Sequence, residues 1–346
     1  MLKKFFSIIF LLILCNFAIV FAEETEESWI SLSPMPTPRT EVVAVTIDEK
    51  IYVIGGFDRN GDGTNLVEVY DTINDSWQRV SSLPIKLHHA GAATHNGKIY
   101  VVGGYVDGWR PSNSLFIYDP KTDSWQQGPP MPTARGALTT QFVGDTLYAV
   151  GGASQIALAT NEAFDTITNS WQTKTSMPTA REHLSSAVIG DKMYVIGGRQ
   201  SSLSTNLATN EVYDPKSDSW IELEQMPTPR GGLTASSING TIFVFGGESS
   251  VGTFSENEQY IPEQGWFVRM EIPTPRHGLA SATVKDRIYV IGGGTVPGLS
   301  VSSVNESYFN AQYVPEFDLL ILTFAISFVG IAILYKMLTK LPINNL

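Results

Sequence analysis

Met193-Tyr194-Val195-Ile196-Gly197-Gly198 is a short apolar run with an aromatic second residue that stops on two glycines. Its length and β-branched content read as a buried strand. The same pattern stands at Ile51-Tyr52-Val53-Ile54 before Gly55-Gly56 and at Ile242-Phe243-Val244-Phe245 before Gly246-Gly247. Further glycine pairs at Gly103/Gly104, Gly151/Gly152 and Gly292/Gly293 make six, spaced 48, 48, 46, 49 and 46 residues apart. Tryptophans 29, 77, 125, 171, 220 and 266 repeat the same five spacings, and Trp109 alone falls outside the register.

Each unit continues outward from this strand in the same way. A small-residue stretch precedes it, as in Gly91 to Thr94 before Asn96-Gly97 or Ala235 to Ser237 before Asn239-Gly240, and Asn-Gly is a strong hairpin signal. After the glycines comes a second aromatic (Tyr70, Tyr118, Phe164, Tyr213, Tyr260 or Tyr308), usually with Asp beside it, and then the tryptophan. A four-stranded unit of about 47 residues with these marks resembles the kelch repeat. The resemblance covers Trp29 to Tyr308 and implies an all-β, six-bladed β-propeller of four-stranded blades, with the first strand of each blade lining a central channel. The sixth glycine pair is followed by Tyr308 but by no tryptophan, whereas Trp29 precedes the first pair. Residues 26 to 32 are therefore expected to supply the fourth strand of the last blade and close the ring.

Beyond the repeat the ends read as membrane signals. Lys3, Lys4, an apolar run from Phe5 to Phe21 and the small residues Val20 and Ala22 before Glu23 describe a cleavable signal peptide over 1–22, with an uncleaved anchor as its alternative. Residues 319–338 hold one span, uncharged from Leu319 to Tyr335, long enough to cross a bilayer as a helix. Lys336 and Lys340 after it place the tail, 339–346, in the cytoplasm. The expected order is signal peptide, propeller over 23–309, linker over 310–318, transmembrane helix and tail, which makes a single-pass protein of the cell membrane with its propeller outside. Val314-Pro315-Glu316-Phe317 also resembles the Pro-Glu-Phe sorting signal of archaeal surface proteins.

Composition narrows the function. The net charge is -11 over 346 residues, which argues against a basic nucleic-acid-binding face, so no nucleic-acid partner is expected. Cys15, the one cysteine, lies in the signal peptide, so disulfides, Cys-based zinc sites and thiol catalysis are excluded from the mature chain. Kelch-type copper oxidases rely on a cysteine-modified tyrosine, and that resemblance fails on the same ground.

Five units carry an arginine sixteen residues before the first glycine: Arg39, Arg135, Arg181, Arg230 and Arg276. A ring of them at a channel mouth would suit carboxylates. The same five units carry Glu68, Glu162, Glu211, Glu258 and Glu306 two residues before the third-strand aromatic, and the second unit replaces both members, with Leu87 and Phe116. Loss of both charges together is what a buried ion pair within each blade predicts, because either charge alone would be costly.

Asp58, Asn60 and Asp62 with Gly63 following match the start of a calcium loop, but position 12 is Val69, and a Gly/Asn/Asp-rich turn needs no metal. Apart from that candidate Ca2+, no cofactor is expected. His88 and His89, adjacent on a strand, would face opposite ways and not chelate together; His183 can pair with His89 or His277 across the channel, but the plainer role expected of these histidines is ordinary channel-lining polarity. Sequons at Asn74, Asn239 and Asn305 permit glycosylation.

The reading that follows is a non-catalytic recognition module binding an extracellular protein or glycan through propeller loops. Tyr105, Trp109, Arg110, His89 and His183 are the candidate ligand-binding residues. Trp109 sits among Asp107, Gly108, Arg110 and Pro111 in one of the longest loops of the face into which the glycine pairs open, hereafter the top; these neighbours suggest an exposed turn, with a ring folded back on the propeller as the alternative. The alternative is an exported enzyme resembling the kelch-type sugar mutarotases and acting on acidic sugars in the channel.

Overall fold

The computed structural model describes residues 27–106 and 108–310, and among them there is no helix. The signal peptide, the transmembrane span and the tail lie outside the described residues.

Every blade is one antiparallel sheet of four strands. In the fourth blade these are Ser185–Ile189, Lys192–Ile196, Asn210–Asp214 and Ser219–Glu222, running from the channel outward. The tight turns between the first two strands follow from sequence: Asn96 and Gly97, like Asn239 and Gly240, have positive φ at both positions, the conformation that matches the twist of a two-residue hairpin. In the last blade Ala280–Val284, Arg287–Ile291 and Asn305–Phe309 are completed by Ser28–Ser31, with Trp29 opposite Tyr308. The chain thus closes its own ring.

A single four-stranded sheet cannot bury both faces, so the core lies between blades. The buried apolar residues divide into six clusters, each drawing on two neighbouring blades. One, for example, joins Tyr148, Val150 and Ala163 to Met193, Val195 and Tyr213.

Polar staples also join neighbouring blades round the ring. Each repeat tryptophan donates its indole N–H to a carbonyl of the neighbouring blade, Trp77 to Ser33 at 2.8 Å and Trp29 to Met270 at 3.1 Å among them. The second glycine of each pair donates its N–H to the carbonyl at the arginine position of the next blade, as Gly152 does to Arg181 at 3.0 Å. That approach explains the glycines. A Cβ at Gly103, whose φ is 64°, would stand 2.6 Å from the Arg135 carbonyl oxygen.

The five arginines and five glutamates meet inside the blades. Arg39–Glu68, Arg181–Glu211, Arg230–Glu258 and Arg276–Glu306 are 3.0, 3.0, 2.9 and 2.6 Å apart, and Arg135 pairs with Glu162 in the same way. All five guanidinium groups are 0 % exposed, so none reaches the channel or its mouth. Each glutamate also accepts a hydroxyl from Thr37, Thr133, Thr179, Thr228 or Thr274. In the second blade Ile85, Leu87 and Phe116 stand at the three positions and pack in one apolar cluster. The threonine is a third member of this set that the sequence reading did not include.

Candidate functional site

The site grows from six residues, one per blade, that stand two positions after the arginine register: Glu41, His89, Ala137, His183, Gly232 and Gly278. All six have positive φ, between 51° and 68°. Their backbones form a closed ring. Glu41 N–H donates to Gly278, Gly278 to Gly232, Gly232 to His183, His183 to Ala137, Ala137 to His89 and His89 to Glu41, at 2.7 to 3.2 Å. This collar marks the top of the channel. Below it the first strands contribute small and hydroxyl side chains, and a cavity of about 260 Å³ is lined by residues such as Ala93, Ala187, Ser236 and Ser281.

Left-handed backbone is costly for residues other than glycine. Blades five and six use glycine here, whereas Glu41, His89 and His183 carry ionisable side chains into the mouth. His89 Nε2 lies 3.2 Å from Glu41 Oε2, and His89 Nδ1 lies 2.7 Å from His88 Nδ1. The His89 and His183 rings meet edge to face, with centroids 4.8 Å apart. This corrects the expectation that His88 and His89 face opposite ways: the strand begins only at Gly91, and the left-handed turn at His89, φ 54°, brings both imidazoles together.

Charged partners come from the adjoining loops. His183 Nδ1 bonds to the Glu182 carboxylate, and its Nε2 accepts from Arg199 Nη2 at 3.1 Å. Arg199 also pairs with Glu182 at 2.8 Å and with Glu248 at 3.0 Å. His277 Nε2 stands 3.7 Å from Glu248 and 3.9 Å from Glu41. Burial, with the nearby His183, pushes the His88 imidazole down to about 4. Burial chiefly, then the neighbouring His183, His88, Arg199 and His277, hold His89 well below its ordinary value, so both the His88 and His89 rings are neutral at neutral pH. For Glu182 burial alone would raise the carboxyl, but His183 and Arg199 outweigh it and hold it low. Glu41, His89 and His183 offer donor atoms that all lie within 4.8 Å of one another, a set that can hold a cation.

An aromatic wall flanks this mouth. Tyr105–Val106 and Arg110–Pro111 form a two-stranded hairpin whose turn carries Trp109 at φ 72°. The Trp109 ring lies 5.0 Å from both His88 and His89, 5.3 Å from Tyr105 and 5.6 Å from Phe57, while 51 % of the residue stays exposed. Trp109 is thus folded back on the propeller and open to solvent at once. Beneath it a cavity of about 280 Å³ is lined by Phe57, Lys86, His88 and Tyr105, among others. Tyr105 itself is buried, donating its hydroxyl to the Ala153 carbonyl at 3.0 Å, and Arg110 is exposed beside Trp109.

The remaining candidates lie apart. Asp58 Oδ1 accepts the backbone N–H of Asn60 at 2.8 Å and of Asp62 at 3.1 Å, so this carboxylate serves its own turn. Among the described residues no third acid or histidine groups with Asp58 and Asp62. The Asn305 sequon is corrected by burial: that residue is 2 % exposed and its amide donates to the Ser33 carbonyl, which leaves a glycan no room. Asn74 and Asn239 are exposed in bottom turns. Sequence reasoning missed Glu41, Glu182, Arg199 and Glu248. Superposing the six copies would have flagged them, since Arg199 and Glu248 follow the glycine pair where other units have Phe57, Tyr105, Ala153 and Gly294.

Comparison with known proteins agrees with this architecture. No curated protein matches the chain. Among solved structures, "Structure of YjhT" superposes with a TM-score of 0.68 at 17 % identity, covering 79 % of this chain and 95 % of that one, a likeness of fold alone. The family described as the KLHDC2/KLHL20/DRC7 Kelch-repeats domain matches in two overlapping stretches, residues 17–198 and 138–319. The chain belongs to this Kelch-repeat family.

Proposed function

We propose that this protein is an exported recognition module, held at the cell membrane by its C-terminal span, that binds an extracellular protein through the top face of its propeller. The observation that carries the reading is the rim of that face. Trp109, Ile156, Val251, Val296 and Leu299, all in top loops, are exposed, Val251 to 94 %. Solvent-facing apolar side chains on the loops of one face suit a macromolecular partner, and a tryptophan beside an arginine is a frequent anchor at interfaces. A glycan is the other class of partner that the aromatic wall suits. Changing Trp109→Ala together with Arg110→Ala is expected to weaken capture of surface proteins about 10-fold or more, with little loss of thermal stability. Unaltered affinity, or binding lost only on changing Ile73 and Ile167 in the bottom turns, overturns the assignment. Export is tested separately, by a mature N-terminus at Glu23.

A second reading is favoured by the mouth itself. Carboxylates, imidazoles and a guanidinium gathered at one mouth, with Glu41, His89 and His183 on left-handed backbone, are groups that acid–base chemistry uses, and Arg199 is the one among them that would pair with the carboxylate of an acidic sugar entering the channel. Mutarotation of acidic sugars faster than in buffer, and lost with His183→Ala, supports that reading; a rate equal to buffer removes it.

A further inference from the structure

We propose that Glu41, His89 and His183 form a binding site for one divalent transition-metal ion, zinc foremost, at the mouth of the channel, with at least one coordination position open. Two imidazoles and one carboxylate are a donor set that zinc accepts, at about 2.0–2.2 Å from each donor. Donors bound at that length round a tetrahedral ion stand about 3.4 Å apart, so atoms already within 4.8 Å of one another need draw in by only about 1.4 Å at the widest pair.

The collar explains why these three converge. They occupy the same position in blades one, two and four, each on left-handed backbone, and the closed ring of N–H to carbonyl bonds fixes their Cα atoms round one axis. The equivalent positions in blades three, five and six are Ala137, Gly232 and Gly278. Those small residues leave half of the collar without side-chain donors, and that half is where water or a ligand completes the coordination. Three protein ligands with an open position is the arrangement of reactive rather than purely structural zinc sites.

The outer partners set the ring nitrogens consistently. Glu182 accepts a hydrogen bond from His183 Nδ1–H, which leaves the ring's lone pair on Nε2, where Arg199 now donates to it. A carboxylate behind a ligating histidine is the usual second layer of such sites. His89 Nδ1 faces His88 Nδ1 at 2.7 Å; with His89 neutral as its Nδ1–H tautomer and His88 neutral as its Nε2–H tautomer, His89 donates across that contact and its Nε2 lone pair faces Glu41. Both histidines would then bind through Nε2. Charge argues the same way: the Arg199 guanidinium pairs with two buried carboxylates, Glu182 and Glu248, while Glu41, nearly buried, stands against the imidazoles of His89 and His277. A divalent cation balances that excess of carboxylates, and Arg199 keeps both of its own when the ion takes its place at His183.

The test uses the full chain purified in mild detergent and stripped with chelator, titrated with zinc chloride by calorimetry. One equivalent is expected to bind, with Glu41→Gln, His89→Gln and His183→Gln each weakening uptake about 10-fold or more, while His95→Gln, far from the mouth, leaves it unchanged. X-ray absorption on the unmodified zinc-loaded chain should show two imidazoles in the first shell, which decides the matter even where a variant fails to fold. Absence of stoichiometric uptake, uptake retained by all three variants, or a first shell without imidazole overturns the site.

Discussion

The second blade is a natural experiment on single residues. Where five blades hold a Thr–Arg–Glu set buried between strands, this one holds Ile85, Leu87 and Phe116. Desolvating two charges offsets most of what they gain from each other, whereas stranding one of them costs about 3–5 kcal/mol. Arg181→Leu alone is therefore expected to lower stability by about 3–5 kcal/mol. The combined change Thr179→Ile, Arg181→Leu and Glu211→Phe should recover most of that loss, as read by urea unfolding; additive losses would count against the pairing. A different carboxylate group governs acid stability. Tyr70, Tyr118 and Tyr213 each donate a 2.6 Å hydrogen bond to Asp75, Asp123 and Asp218. These bonds are the first cause that holds the three carboxyls below their ordinary value. The unfolded chain then binds more protons than the folded one once pH falls to about 4, so stability that is complete above this range is lost as pH drops through it. Asp218→Asn should make the acid limb of a stability–pH curve shallower while lowering stability at neutral pH.

At the scale of the element, glycine acts in two ways that one pair of substitutions separates. Gly97, in an exposed hairpin turn, and Gly103, at the end of a buried strand, have φ of 72° and 64°, so alanine at either meets the same backbone penalty of about 1–2 kcal/mol. Space differs. A Cβ at Gly97 meets nothing within 4 Å, but at Gly103 it drives into the Arg135 carbonyl and against Leu138. Gly103→Ala is expected to lower the melting temperature well beyond Gly97→Ala, and equal effects would show that the glycine pair serves the turn and not the contact between blades. The strand pattern, the Asn-Gly turns and the paired glycines were all readable along the chain, because each follows from neighbours in sequence. The left-handed residue at His89 was not. Its conformation is set by the collar, whose hydrogen bonds come from the blades on either side, and so adjacent histidines that a strand would separate are brought together.

At the scale of the whole molecule, stability depends on closure. Every blade buries its faces against two neighbours, and Ser28–Ser31 supplies the last sheet with its outer strand, Trp29 packing at a tilt against Tyr308 at 5.0 Å and edge to face against Phe245 at 5.7 Å. A mature chain trimmed to begin at residue 34 loses this strand and exposes the interface between the last two blades. Its cooperative unfolding transition should disappear or fall sharply in temperature by calorimetry, and an unchanged transition would mean that the ring closes without the N-terminal strand.

The number of blades, the closing strand and the buried ion pairs were determined by the sequence alone. A repeated unit lets the chain be compared with itself, and a charge pair that vanishes from one copy as a pair reveals its contact without coordinates. The mouth of the channel was decided only by the tertiary structure. Glu41, His89, His183, Arg199 and Glu248 come from four different blades and occupy repeat positions whose side chain changes from copy to copy, so no recurring residue type marks them. They meet because six blades packed in a ring place equivalent positions round one axis, where whatever side chains those positions carry must face one another.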